Sequence, residues 1–148
     1  MRSGVHLTGG TARGAKLFSV PGQEVRPATS RVRISLFEIL KSRIPDAVAV
    51  DLFAGTGSLG LEALSRGAAF CTFFDTDPRC AEVLQRNLEK LRFVDRAEVR
   101  RESAFRAHSV LSRPANLVFV DPPYAFYDER RAEIERQVTT ILEAEGCS

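Results

Sequence analysis

The chain has 148 residues, 44% of them hydrophobic and 27% charged, which is the size and composition of one globular domain with enough apolar side chains to bury a core and excludes whole-chain disorder. No apolar run approaches the roughly 20 residues of a membrane helix, and the Arg2-Ser3-Gly4-Val5-His6 that follows Met1 is no signal peptide, so a cytoplasmic location without a membrane partner is expected. The net charge of +2 is uneven: residues 1–43 hold eight Lys/Arg against two acids, a net of +6, ahead of an acidic body, a distribution that suggests contact with a polyanion.

In chain order, residues 5–10 and 16–20 read as two short extended pieces around a Gly-rich turn, closed by Pro21-Gly22, which predicts a hairpin arm. From Thr29 or Ser30 as N-cap, Val32, Leu36, Ile39 and Leu40 recur at helical spacing through Arg43, with Val32 and Leu36 expected to pack the helix onto the body. The domain boundary falls here, between 1–43 and 44–148. Strands are predicted over 47–53, 69–74, 97–101 and 116–120, separated by helices through Leu59–Leu64 and over 78–91, with a last helix over 127–145. Apolar strands alternating with helices imply an α/β fold, a mostly parallel sheet covered on both faces. Cys71, Cys80 and Cys147 are too few and too irregular for a disulfide framework or a zinc site, and no metal is expected.

Gly55-Thr56-Gly57-Ser58-Leu59-Gly60 matches G-x-G-x-x-G between a predicted strand and a helix, the context that gives the pattern meaning. It suits either a dinucleotide or another nucleoside-containing cofactor. Asp51, four residues before the first glycine, would repel a pyrophosphate but can accept hydrogen bonds from an ammonium group, and this favours S-adenosylmethionine. Asp75, at the end of the second strand, is placed to accept from both ribose hydroxyls, and Asp77 is the expected N-cap of the next helix.

Asp121-Pro122-Pro123-Tyr124 follows the fourth strand and so lies at the carboxyl edge of the sheet, where open α/β folds bind ligands. An exocyclic amine on a base is a poor nucleophile; Asp121 and the Pro122 carbonyl supply two acceptors for its N–H groups. The prolines hold that carbonyl in place, Tyr124 can stack on the base, and orientation supplies most of the catalysis.

A glycine-rich cofactor motif ahead of Asp-Pro-Pro-Tyr on the fourth strand resembles the amino methyltransferases of adenine, cytosine or guanine. The resemblance narrows at residues 9–17, 26–33 and 36–40 and through the segment 51–68, which together look like the RsmD family of bacterial 16S ribosomal RNA guanine-N2 methyltransferases. It implies a Rossmann-like class I methyltransferase fold, with 16S ribosomal RNA or the assembling small subunit as partner. By the same resemblance Phe53, Ala54, Thr56, Leu59 and Thr76 belong to the cofactor cradle with Asp51, Asp75 and the glycines. Ser103 and Ala104 stand where the family carries Asp-Ala near the adenine. Thr29, Arg31, Arg26 and Arg33 would border the cofactor and the RNA entrance, and the Gly-rich hairpin would touch RNA; Arg13, Lys16, Arg26, Arg31 and Arg33 are the candidate phosphate contacts.

The family's sheet continues after the helix that follows Asp-Pro-Pro-Tyr, so on strand and loop lengths roughly 35 residues of it have no counterpart here. A shortened form, or self-association covering the exposed edge of the fourth strand, is the expectation from that difference; otherwise a monomer is expected. Competing readings are a DNA or other RNA amino methyltransferase, a dinucleotide-binding oxidoreductase domain, and a non-catalytic RNA-binding protein.

Overall fold

The computed structural model describes residues 5–21, 29–122 and 124–146. After the N-terminal arm come α1 (Thr29–Ile39), β1 (Val48–Asp51), α2 (Ser58–Ser65), β2 (Phe70–Phe74), α3 (Pro78–Leu91), β3 (Ala97–Arg100), α4 (Ala107–Val110), β4 (Leu117–Phe119) and α5 (Tyr124–Gly146). The four strands form one parallel sheet in the order β3-β2-β1-β4. The chain therefore steps outward from β1 to β3 and then returns to lay β4 on the other side of β1. That reversal makes a topological switch point between β1 and β4, where such sheets open a crevice for ligands.

Side chains alternate across the sheet as a pleat requires. Ala49, Cys71, Phe73 and Phe119 join Leu61 and Leu64 of α2, Leu84 and Leu88 of α3, Phe37 of α1 and Leu7 and Leu17 of the arm in one buried cluster. Val50, Leu52 and Phe74 face the opposite layer, with Ala104, Ala107, Ala115 and Ile141. Helices thus cover both faces, as expected of the α/β reading. A short helical stretch absent from the sequence expectation, a 3-10 turn at Ala104–Arg106 running into α4, supplies part of the second layer. Among the described residues β4 pairs on one side only, with β1. The last helix begins three residues earlier than expected and is interrupted at Arg130 (φ −123°, ψ 24°).

The arm is the expected hairpin, bridged antiparallel between His6 and Lys16. Its turn is held against the carboxyl end of α2: Thr11 N–H donates to the Ser65 carbonyl at 2.7 Å, and Ala12 N–H to Ser65 Oγ at 2.9 Å. The first of these bonds satisfies a carbonyl that the end of a helix leaves unpaired. Gly10, at φ +80°, admits no side chain, since an added Cβ would lie 1.9 Å from the Ser65 oxygen. The glycines of this turn thus permit docking onto the body.

Two sequence expectations are corrected in α1. Val32 is 59% exposed and Ile39 80%, whereas Arg33 and Phe37 point inward at 1% and 0%. The buried face is turned by one residue because Arg33 has buried partners to meet. Its Nη2 donates to the His6 carbonyl at 2.7 Å, and Nε lies 3.7 Å from Glu62 Oε1. Arg33 is therefore an internal pin between α1, the arm and α2, and is not a phosphate contact. Burial pushes its guanidinium down from the usual arginine range, against the pull of Glu62. Glu62 is 0% exposed and also accepts from Thr8 N–H, Gly9 N–H and Arg66 Nε.

Candidate active site

The register of the sheet builds the site. Asp51, the last residue of β1, lies opposite Phe73 of β2 on one side and Phe119 of β4 on the other. Asp75 and Asp121 each follow those partners by two residues. Three carboxylates consequently stand along the carboxyl edge, one on each of three adjacent strands, with strands spaced by about 4.8 Å.

Asp51 is 1% exposed and its carboxyl is pushed up to about 7. Burial is the largest cause, opposed by backbone N–H groups of Phe53 and Gly60, with the charges of Asp121 and Asp75 raising it further. Its Oδ1 is buried with no hydrogen-bond partner. A buried acceptor in that state is costly unless a donor arrives. Asp75 instead braces the glycine loop: Oδ2 accepts from Gly55 N–H at 2.8 Å and Oδ1 from Asp77 N–H at 2.9 Å. Asp77 is the N-cap of α3, accepting from Arg79 N–H at 2.8 Å, as the sequence suggests.

The glycines divide by role. Gly55 sits at φ +57° with nothing within 4 Å of an added Cβ, so the backbone there borders open space. At Gly60 an added Cβ would lie 2.2 Å from the Phe73 ring, so this glycine lets α2 close onto β2. Gly57, at φ +98°, starts α2 and is met by Leu84 and Leu61. Thr56, between two of these glycines, has its carbonyl held by Asn87 Nδ2 at 3.0 Å. Nothing in local sequence pattern marks Asn87, although a polar residue on the inner face of an amphipathic helix is a signal worth following.

On the opposite side of the loop, Phe53 meets Phe105 edge to face with ring centroids 6.3 Å apart. Ser103 spends its Oγ as the cap of the turn at 104–106, accepting from Phe105 N–H at 3.1 Å, and Ala104 beside it is buried. A hydroxyl so used retains its own O–H as a donor. Asp121 and Pro122 are half-buried at the mouth of the switch point. Arg31, Arg13 and Lys16 are exposed. Arg13 stands in the turn docked at the carboxyl end of α2, and α2's eight residues span about 12 Å between it and the glycine loop. Arg26 and Pro123, together with the side chains of Thr29 and Tyr124, lie outside the described residues.

A site with an unpartnered buried carboxylate oxygen, two further acids and open space at Gly55 fits a cationic nucleoside cofactor such as S-adenosylmethionine. It would repel a pyrophosphate. Among the described residues there is no group of three or more His, Cys, Asp or Glu able to hold a metal, and no helix long and apolar enough to cross a membrane.

The fold, the switch-point crevice and the acid-edged glycine loop define a class I methyltransferase. Residues 5–146 match the model of the family described as conserved hypothetical protein 95. The chain is 39% identical over 142 residues to ribosomal RNA small subunit methyltransferase D of Escherichia coli strain K12, covering 96% of this chain and 68% of that protein. It is 38% identical over 128 residues to the protein of the same name in Haemophilus influenzae, covering 82% of this chain and 65% of that one. The solved Escherichia coli structure of yhhF, named as a candidate methyltransferase, superposes with a TM-score of 0.77 at 38% identity, covering 93% of this chain and 72% of that one. The chain belongs to this family, that of ribosomal RNA small subunit methyltransferase D, and spans about two thirds of the length of the curated relatives it matches.

Proposed function

We propose that this chain methylates the exocyclic N2 amino group of a guanine in 16S ribosomal RNA of the small subunit, with the basic residues 1–43 on the RNA side and 44–148 holding the cofactor. The observation that carries the reading is the row of Asp75, Asp51 and Asp121 across three adjacent strand ends beside the open space at Gly55. S-adenosylmethionine supplies an electrophilic methyl group on a sulfonium. Asp51 receives the cofactor's ammonium group, whose charge offsets the mutual repulsion of the three acids. Asp75 accepts from the ribose hydroxyls with lone pairs left over from Gly55 and Asp77. Phe53, Ala54, Gly55, Thr56, Gly57, Leu59, Gly60 and Thr76 form the cradle, with Ser103 and Ala104 at the adenine and Thr29 and Arg31 at the border with RNA.

At the target base, Asp121 and the Pro122 carbonyl accept the two N–H groups of the amine and turn its lone pair toward the methyl. Pro123 stiffens that carbonyl and Tyr124 stacks on the base. As the nitrogen lone pair forms the new carbon–nitrogen bond, the methyl–sulfur bond would break and S-adenosylhomocysteine would leave as a neutral thioether, and the methylated nitrogen, now acidic, loses one N–H proton to Asp121 or water. Positioning supplies most of the rate.

The test is transfer of labelled methyl groups from S-adenosylmethionine to under-methylated small subunits, free 16S RNA, fully methylated subunits and duplex DNA. Label confined to the under-methylated RNA or subunits and recovered as N2-methylguanine is the expected result. Label in DNA, or in adenine or cytosine, would replace this reading with another amino methyltransferase.

A further inference from the structure

Along the flank of the molecule the arm lies beside α3, and the seam between them gathers positive charge around one ring. Arg86 Cζ stands 4.4 Å and Lys90 Nζ 5.0 Å from the centroid of Phe18. Lys90 also donates to the backbone carbonyl of Lys16, so the arm meets α3 at a third basic residue, itself exposed. Like charges four residues apart on a helix repel. Among the described residues neither has a carboxylate within ion-pair distance to relieve it, in contrast to Arg79 with Asp77 or Arg100 with Glu98 and Glu102. On α3, Glu82 lies one turn before Arg86 on the same face without forming an ion pair with it, and Glu89 is turned to Gln85. The ring itself is fixed, since Phe18 N–H donates to Asn87 Oδ1 at 2.7 Å and its carbonyl accepts from Asn87 Nδ2 at 3.2 Å.

We propose that this seam, with Arg86 and Lys90 on Phe18 and Lys16 beside them on the arm, binds the phosphate backbone of RNA outside the cofactor edge. The inference rests on the RNA methyltransferase reading above and adds α3 to the contact surface, which charge along the N-terminal segment alone does not indicate. From Arg13 in the docked turn, the arm passes Lys16 and Phe18 and reaches Val20, which packs on Cys80 and Val83 in the first turns of α3. The cations therefore follow a path that rises along α3 toward the glycine loop. A row of cations along the arm and α3 reads backbone and not base identity, so its work is affinity and register.

The experiment compares the wild type with the double variant Arg86→Gln/Lys90→Gln and with a charge-matched control on α5, Arg131→Gln/Arg136→Gln. RNA affinity is measured across a salt series and methyl transfer is followed in the same preparations. The seam variant is expected to lower the slope of log affinity against log salt by about 1.4–1.8, so that between 50 and 200 mM salt the wild type loses about tenfold more affinity than the variant. Its transfer rate at saturating RNA and its cofactor affinity stay at the wild-type values. An unchanged slope, or an equal change in the control, overturns the proposal while wild-type transfer leaves the enzymatic reading standing. A wild type that neither binds RNA nor methylates it overturns both.

Discussion

Asn87 Nδ2 donates to the carbonyl oxygen of Thr56 at 3.0 Å, joining the middle of α3 to the turn between Gly55 and Gly57. The same amide exchanges two hydrogen bonds with the backbone of Phe18, so one side chain, 0% exposed, ties the arm, α3 and the cofactor loop together. Asn87→Ala strands a backbone donor and two carbonyls. The expected loss is about 2–4 kcal/mol in urea unfolding, together with weaker binding of S-adenosylhomocysteine by calorimetry. Wild-type cofactor affinity in the folded variant would show that the loop holds its shape unaided.

The state of Asp51 makes both stability and cofactor binding depend on pH. Its carboxyl rises from 3.8 to about 7 on folding, so the folded form holds the proton more tightly than the unfolded chain. The stabilisation from this group is full below about pH 4 and is lost as pH rises through about 7, a change on the order of a few kcal/mol. Asp51→Asn is expected to flatten that fall. A cationic ligand favours the ionised carboxylate, so affinity should climb with pH up to about 7 and binding below it should release a proton. Calorimetry in two buffers of different ionisation heat reads that release, and none would contradict the ammonium role.

Asp75 and Asp121 flank Asp51 symmetrically but are assigned different work. Asp121→Ala is expected to lower the transfer rate by about 10²–10⁴ while leaving cofactor affinity near the wild type. Asp75→Ala removes the brace on Gly55 and, with it, the acceptor proposed for the ribose hydroxyls, and is expected to raise the cofactor dissociation constant about 10–100-fold. The opposite pattern would exchange their roles.

The two ends of the glycine motif separate folding from binding. Gly60→Ala drives a Cβ into Phe73 and is expected to cost about 1–3 kcal/mol of stability. Gly55→Ala meets no protein atom and costs about 1–2 kcal/mol for its left-handed backbone, yet its methyl occupies the space assigned to the cofactor. Near-normal melting with lost cofactor binding is the signature expected of Gly55→Ala alone.

Glu62 and Arg33 are unequal partners. Glu62 accepts from Thr8, Gly9 and Arg66 as well as facing Arg33, so Glu62→Gln should cost about 3–5 kcal/mol. Arg33 has two nitrogens, Nε and Nη1, without hydrogen-bond partners. Replacement by Met, which keeps most of the volume, should therefore be far milder, and comparison of the two melting curves decides the point.

The strand–glycine turn–helix unit, the order of the strands and helices, and the acids at the ends of β1 and β2 were all legible in the sequence. Each depends on a period of two or nearly four residues, or on chemistry within a few positions, and such signals survive without knowledge of distant neighbours. The chain alone also identified Asp77 as a cap and the arm as a hairpin. Tertiary structure decided what partners across long separations impose. Arg33 reads as a free cation until the His6 carbonyl, 27 positions away, is seen to bury it. Val32 reads as packing on the body, as Leu36 does, until α1 turns to admit that arginine. Asn87 gains its importance from Phe18, 69 positions away, and Asp51 its high proton affinity from burial and from two acids on neighbouring strands. Local pattern determines which element a residue joins; only the packed sheet and helices determine what that residue faces, and burial then sets its charge and its role.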